Sequence, residues 1–338
     1  MNGQRSVTAE DVARLAGVSR SAVSRAFTDG ASISSETRDK VMAAADRLGY
    51  RVNYLARSLT LQRTELVALV VSDMDHSFRA RIVDLLSRGL VKAGYRPFLL
   101  PWSDGDDAGR LIDMMLHYNV SGAIMTSDTP PGEIAAHCAR HGVPLVLVNK
   151  APVDAHAPRV IHDVEAAGRL AAEALFEAGC RRVAYAGPRR PSYTIDARRA
   201  AFLRHAAELG MRCTVEASGA RPNYAGGVEA AAEFLPRAGA VDGVHCGNDF
   251  LALGFLDRIR ADGLRVPADL SVVGCDNIAE AAWTSYDLTT VTQDAEAVVS
   301  ASLAALIELV EGEGEEEPAP TTVIPVRLVR RGSTSHRA

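Results

Sequence analysis

The sequence predicts an α/β chain: a small N-terminal three-helix bundle, a short linker, and a larger body of parallel sheets in two similar lobes. Three observations carry this prediction. Helix-spaced apolar residues with capping residues run through the first 50 or so positions. From Leu66, strand-like apolar runs alternate with helix-like segments, in two series of similar length. Charge is segregated: residues 1–63 carry ten Arg/Lys against six Asp/Glu, a net +4, whereas the whole chain of 338 residues is at −5. A basic head on an acidic body directs only the head to a polyanion.

The head reads in order. Thr8 is placed to cap a first helix, with Asp11 three residues on as a capping-box partner. Val12, Leu15 and Ala16 form that helix's apolar face, and Gly17 suits a left-handed stop. Ser19 caps a second helix with Ala22, Val23, Ala26 and Phe27 inward, and Asp29-Gly30 marks a turn. Ser34 opens a third helix with Val41, Met42, Ala45 and Leu48 inward, ended by Gly49. The tight connection around Gly17 is the geometry of a helix-turn-helix. Its second helix turns Arg20, Ser21, Ser24 and Arg25 away from the core, where Arg suits guanine edges and Ser suits bases or phosphates. On VARLAGVSRSAVSRAF alone, a helical corner with solvated arginines fits equally. With 34 arginines and three lysines in the chain, one arginine is a weaker functional hint than usual.

The stretch RVNYLARSLTLQRT (Arg51 to Thr64) has helix formers but a thin apolar face, and so short a segment is marginal as a lone helix. The body then supplies LVALVVS, RPFLLP, GAIMTS and VPLVLV, followed by RVAYAG, MRCTVEAS, GVHCGN and LSVVGCD. Near the end, GEGEEEPAP is a solvated loop, and TTVIPVRLV reads as one final strand.

Several classes are excluded. The longest apolar runs hold about six residues, against about 20 for a membrane span, and the N-terminus lacks a signal-peptide core. A cytoplasmic location is expected. The five cysteines are scattered, as for reduced and mostly buried thiols. No GxxxxGK, GxGxxG, HExxH or GxSxG pattern occurs, so no cofactor and no catalytic residue is expected. His137 and His141 share helical spacing in HCARH, but no further ligand accompanies them; a plain surface helix is expected and no metal site.

TAEDVARLAGVSRSAVSRAF, ISSETRDKV, LGYRVNYLARSL and RTELVALVVSD stand in the order and spacing of the lactose-repressor/galactose-repressor family. VIHDVEAAG, HCGNDFLALG, RVPADLSVVGCDN, DLTTVTQ and LVRRGST look like its core, so the resemblance covers about residues 6–335. It implies a helix-turn-helix bundle plus hinge helix, then a two-lobed, periplasmic-binding-protein-like core of parallel sheets. The implied domains are 1–51, a hinge at 52–64, and a core at 65–338. Within the core, lobe one takes about 65–161 and 292–320, and lobe two about 162–291 and 321–332. It further implies a sequence-specific regulator, a repressor by preference, whose affinity for double-stranded operator DNA answers to a small molecule of the sugar class held between the lobes. A homodimer on a pseudo-palindrome is implied, without membrane contact. A solute-binding receptor with no DNA role would share the body but not the basic head.

The resemblance also implies site residues. Thr8, Ser19, Arg20, Ser21, Ser24 and Arg25 contact DNA, with Arg20, Ser21 and Arg25 dominating base choice. Asn53, Ala56, Arg57 and Leu59 match the hinge, where a leucine wedges into the minor groove; packing of Leu59 against the body is the alternative. Phe78, Arg79, Asn149, Arg198, Asp249 and Asp276 fall at effector positions, where Phe78 would stack on a ring and Arg198 would offer a fork. The two aspartates also follow strand-like runs, where caps and turns use the same residue. Two departures stand out: HSFR (His76 to Arg79) replaces Asn-Pro-Phe-Phe, and Asn149-Lys150 replaces the usual aspartate. Arg79, Lys150, Arg189 and Arg190 together suit an anionic effector such as a sugar acid or phosphate ester.

Overall fold

A computed structural model describes residues 7–27, 30–51, 64–72, 74–103, 106–126, 131–153, 157–312 and 320–334. The chain divides into two compact units, residues 1–64 and 65–338.

In the first unit, α1 (Ala9–Ala16), α2 (Arg20–Ala26) and α3 (Ser35–Leu48) surround a core of Val12, Ala13, Val23, Ala26, Val41, Ala44 and Ala45. Each helix starts where an oxygen side chain takes an orphan amide. Thr8 Oγ1 accepts from the Asp11 N–H at 3.3 Å while the Asp11 carboxylate accepts from the Thr8 N–H at 3.0 Å. Ser19 and Ser34 accept from Ala22 and Thr37, both at 3.2 Å. Such caps are worth about 1 kcal/mol apiece. Gly17 ends α1 at φ 67°, a conformation that costs glycine nothing. Two expected core residues are exposed: Leu15 and Met42 turn outward, and the small Ala13 and Ala44 are buried in the core instead. Three short helices approach closely through alanine, leaving no room for long side chains at those positions.

The second unit holds two six-stranded sheets. In the first, β1 (Leu66–Val71), β2 (Arg96–Pro101), β3 (Gly122–Met125), β4 (Leu145–Val148), β5 (Arg159–His162) and β11 (Thr321–Ile324) lie in the order β11-β5-β4-β3-β1-β2, all parallel. Along β1, Val67, Leu69 and Val71 face α4 (Ser77–Lys92) and α11 (Ala295–Glu311). Ala68 and Val70 face the opposite layer, with α5 (Ala108–His117) and α6 (Pro131–Arg140). Burial on both faces explains why these strands are unbroken apolar runs.

In the second sheet, β6 (Arg182–Pro188), β7 (Arg212–Gly219), β8 (Gly243–Cys246), β9 (Ser271–Asp276), β10 (Thr289–Thr292) and β12 (Arg327–Val329) take the order β12-β10-β9-β8-β6-β7. Only β12 is antiparallel to its neighbour. α7 (Val164–Glu177) and α8 (Tyr193–Glu208) cover one face, around Val183, Tyr185, Phe202, Val273 and Cys275. α9 (Tyr224–Phe234) and α10 (Asp249–Ala261) cover the other, around Ala184, Phe234, Val244 and Phe255.

The chain passes between the lobes after β5, after β10 and after β11. The third passage corrects two expectations. TTVIPVRLV is not one strand, and residues 321–324 do not belong to lobe two: Thr321–Ile324 pairs with Arg159–His162 in the first sheet, and Arg327–Val329 pairs with Thr290–Thr292 in the second. Pro325 stands between them; it has no N–H to give a ladder, so the strand breaks there. The short strands β5 and β10 were hidden among quoted motifs for a similar reason, since four residues show little periodicity.

Candidate functional site: a recognition helix and an interlobe cleft

In the first unit, Ser19, Arg20, Ser21, Ser24 and Arg25 are all exposed along α2, on the side away from Val23 and Ala26. Three of these side chains are tied locally: Ser19 Oγ lies 2.9 Å from Ser21 Oγ, and Arg25 Nε donates to the Ser21 carbonyl at 3.4 Å. Thr8 donates to Asp11 at 2.7 Å, so its hydroxyl first serves the cap. The helix is anchored through two small buried side chains and presents a polar rim, the arrangement a groove-reading helix requires. Asn53, Ala56, Arg57 and Leu59 lie outside the described residues.

In the second unit, the strand ends of both sheets face a cleft of about 610 Å³ of atom-free space, its open mouth included. Lobe one supplies Phe78, Arg79, Ile82, Thr126, Val148 and Asn149; lobe two supplies Ser192, Thr194, Arg198, Asn248 and Asp276, with Gln293 after β10. The two walls differ in chemistry. Phe78, Ile82 and Val148 give the lobe-one wall an apolar patch, beside the polar His76, Arg79, Thr126 and Asn149. Opposite them stands a buried polar network. Arg198 Nη1 donates to Cys275 Sγ at 3.0 Å and approaches Asp276 Oδ1 at 3.4 Å, and Nη2 donates to the Gly247 carbonyl at 3.0 Å. Gln293 also donates to Asp276. Across the cleft, His76 Nε2 lies 3.6 Å from Asp276 Oδ2 and 3.3 Å from the Asn248 amide.

Electrostatics follows from burial. Desolvation pushes the Asp276 carboxyl above its ordinary range, against the pull of Arg198 and His76. Burial likewise raises Cys275 to about 12, so it stays a thiol. Asp276 also sits at φ 127°, a backbone conformation that costs a non-glycine residue about 1–3 kcal/mol. A buried carboxylate on a strained backbone beside a buried guanidinium holds two charged hydrogen-bonding groups at one point of the cleft.

The expected residues divide. Phe78, Arg79, Asn149, Arg198 and Asp276 line the cleft. Asn149 adopts φ 56° and accepts the His162 N–H at 3.2 Å, so its amide also braces the wall. Asp249 does not line the cleft. It is fully buried under β9 and β10, accepting from Thr290 Oγ1 at 2.6 Å and from the Ile278 N–H at 3.1 Å. Burial, then the charge of Asp276, raises its carboxyl. Its neighbour Asn248 lines the cleft instead: Asn248 Oδ1 caps α10 at the Leu251 N–H (2.7 Å), and the amide nitrogen donates to the Pro222 carbonyl at 2.9 Å. In GND, the residue before the helix faces the strand ends and the first helical residue turns beneath the sheet, which identified the wrong member of the pair. His76, Ser192, Thr194 and Gln293 were also missed; Gln293 stood inside the quoted DLTTVTQ.

The four cations grouped by sequence do not converge. Arg79 lines the cleft, with Nη1 donating to Ser72 Oγ at 3.1 Å. Lys150 is buried outside it, Arg189 lines a separate groove, and Arg190 is exposed on the same loop. The anionic effector suggested by those four residues therefore loses its basis.

A helix-turn-helix unit joined to two parallel-sheet lobes around a polar cleft defines a class: transcription regulators that carry a small-molecule-binding body. Residues 8–53 match the lacI family of bacterial regulatory proteins, and residues 172–334 match a periplasmic binding protein-like domain. The transcriptional regulator CelR of Thermobifida fusca is 33% identical over 341 residues, covering 97% of both chains. The lac repressor dimer bound to operator and an anti-inducer has a TM-score of 0.85 at 26% identity, covering 98% of this chain and 100% of that one. A CelR–cellobiose complex has a TM-score of 0.71 at 29% identity, over 97% and 99% of the two chains. The chain belongs to the LacI family of DNA-binding transcriptional regulators. Its relatives are regulators and not enzymes. Among the described residues, no helix is long and apolar enough to cross a membrane.

Proposed function

We propose that this regulator acts in the cytoplasm as a homodimeric repressor. The two copies of α2 would read half-sites of a pseudo-palindromic operator about one helical turn apart. Arg20, Ser21 and Arg25 carry base choice, Thr8, Ser19 and Ser24 hold phosphates, and the 52–64 hinge places Leu59 in the minor groove. The core spans residues 65–338, with lobe boundaries near 162 and 292 and at Pro325. Exposed apolar residues on lobe one (Val91, Leu99, Tyr118) and Trp283 on lobe two suit coverage by a second copy.

The effector is a neutral, ring-shaped polyhydroxyl compound of monosaccharide or disaccharide size. One observation carries this: a single cleft sets an apolar wall around Phe78 against Arg198, Asp276, Asn248 and Gln293. Hydroxyls need both donors and acceptors, and a sugar ring offers an apolar face. Cellobiose, the ligand of the CelR complex, heads the panel. A thermal-shift screen of neutral sugars, sugar acids and nucleosides tests the reading. A ligand at 100 times its Kd should add about 2.7 kcal/mol; stabilisation by sugar acids alone would overturn neutrality.

For the operator, selection from random DNA should yield a palindromic site whose affinity falls steeply with salt. No DNA binding at low salt would sink the repressor reading.

A further inference from the structure

Among the described residues, three buried polar atoms in lobe two have no protein hydrogen-bond partner, and they belong to neighbouring residues: Arg198 Nε, Tyr185 Oη and His245 Nε2. Sheet register explains the grouping. Tyr185 on β6 stands directly beside His245 on β8, with ring centroids 5.8 Å apart. Both side chains point to the face covered by α8, which carries Arg198. The next residues on that face are Gly187 and Gly247, and the tyrosine leans across both. A Cβ on Gly187 would stand 2.5 Å from Tyr185 Cε1, and one on Gly247 would stand 2.5 Å from Tyr185 Oη. Glycine at both positions makes room for the phenol, and the carbonyl of the same Gly247 accepts from Arg198 Nη2 at 3.0 Å.

The hydrogen-bonding capacities match. His245 Nδ1 lies 3.2 Å from the Val273 carbonyl and donates to it, leaving Nε2 as an acceptor. Arg198 Nε–H is a donor only, and the tyrosine hydroxyl can donate. A buried water typically makes about three hydrogen bonds to groups of this kind. Tyr185 also lines a separate groove with Arg189, Arg199 and Ser218, outside the cleft.

We propose that Tyr185 and His245 are positioning residues for Arg198, joined to its Nε–H by one buried water. The water accepts from the Arg198 Nε–H and from the Tyr185 O–H, and it donates to His245 Nε2. Arg198 then has one edge fixed from behind, while Nη1 and Nη2 hold Cys275, Asp276 and Gly247. The orientation of the guanidinium in the cleft, and through it the choice among effector hydroxyl patterns, depends on two residues that do not line the cleft. This rests on the effector reading of the cleft.

The test uses the full chain and needs no effector for its first arm. In 15N-labelled protein, the Arg198 Nε–H signal is assigned by its loss in Arg198→Lys, and its exchange with solvent is measured. It should be slow in the wild type. Tyr185→Phe, which removes one oxygen, should speed it by about tenfold, the scale of one lost buried hydrogen bond. Should that variant not fold, His245→Phe carries the same expectation. Exchange unchanged by the substitution overturns the proposal, as does a Tyr185→Phe protein that melts above the wild type, the result expected for a hydroxyl with no partner. In the second arm, cellobiose and the neutral sugars of the panel are titrated into both proteins. A sugar that binds the wild type should lose about tenfold in Tyr185→Phe, and equal affinity for the two overturns the link to specificity. If no sugar binds the wild type, the effector reading fails while the exchange rates still decide the positioning role.

Discussion

The two lobes of the body share one strand order but have different interiors. Lobe one is β11-β5-β4-β3-β1-β2 and lobe two is β12-β10-β9-β8-β6-β7, the same pattern twice. Lobe one packs aliphatic side chains on both faces of its sheet and gives the cleft Phe78, Ile82 and Val148. Lobe two buries Arg198, His245, Asp249 and Asp276 and gives the cleft the Arg198–Asp276 pair, while Arg79 adds a cation from lobe one. Topology alone therefore does not assign chemistry. One lobe provides a surface for a ring, and the other provides directional hydrogen bonds held in place by burial. The lobes should respond differently to substitution and to added volume.

The largest difference should come from the charged wall. Arg198 and Asp276 are both about 5% exposed at the side chain. Arg198→Ala leaves the carboxylate buried without its guanidinium, which should cost about 3–5 kcal/mol in urea unfolding and abolish sugar-induced stabilisation. A loss below about 1 kcal/mol would show that Gln293 and His76 suffice to hold Asp276.

A pH series comes next and reads buried histidines in both lobes, since burial also lowers His162, at the end of β5, to about 3. Burial lowers His245 from 6.5 to about 4. Between those values the unfolded chain takes up a proton that the folded chain does not, so this residue makes stability fall as pH falls. Asp249 and Asp276 act in the opposite sense, because their folded carboxyls are raised and keep protons that the unfolded chain has released. The difference between His245→Phe and the wild type isolates the histidine. Relative to the wild type, the variant should gain up to about 3 kcal/mol between pH 7 and pH 4. A parallel pair of stability curves would mean that His245 titrates normally.

Added volume should discriminate more finely. In lobe two, a Cβ on Gly168 would meet the Phe202 backbone nitrogen at 2.5 Å and the Arg198 carbonyl at 2.7 Å, so α7 and α8 would have to separate. In lobe one, a Cβ on Gly89 would meet only the tip of the Leu303 side chain, which can rotate away. Gly168→Ala should lower stability by about 1–3 kcal/mol and weaken sugar binding by moving Arg198, whereas Gly89→Ala should stay within about 1 kcal/mol. Equal costs in thermal melts would remove this contrast.

The smallest effect belongs to the apolar wall. Phe78 is only half-buried, so Phe78→Ala should leave unfolding nearly unchanged and cost about 1 kcal/mol in sugar affinity, roughly fivefold, by titration calorimetry. An undiminished affinity would show that no ring stacks there.

Much of the head could be read directly, because its determinants are local. A cap acts within three residues, a turn within four, and a recognition surface is the outward side of one short helix. Thr8, Ser19, Ser34 and Gly17 therefore do what their positions predict, and Arg20, Ser21 and Arg25 project from α2. The errors, Leu15 and Met42, arise where the spacing of three packed helices sets the permitted side-chain size.

The long strands could likewise be read from composition, since a parallel strand covered on both faces must be apolar throughout. Sequence alone determined the two-part architecture, the basic head, the alternation of strands and helices, and the family. Tertiary structure decided which member of Asn248-Asp249 reaches the cleft, where TTVIPVRLV divides between sheets, that the extra cations do not meet, and that Tyr185 and His245 stand behind Arg198. Each of these depends on the face a side chain takes in a sheet register or helix start. That face is set by contacts between segments many tens of residues apart, such as Tyr185 with His245 and Arg198 with Cys275, which local pattern does not encode.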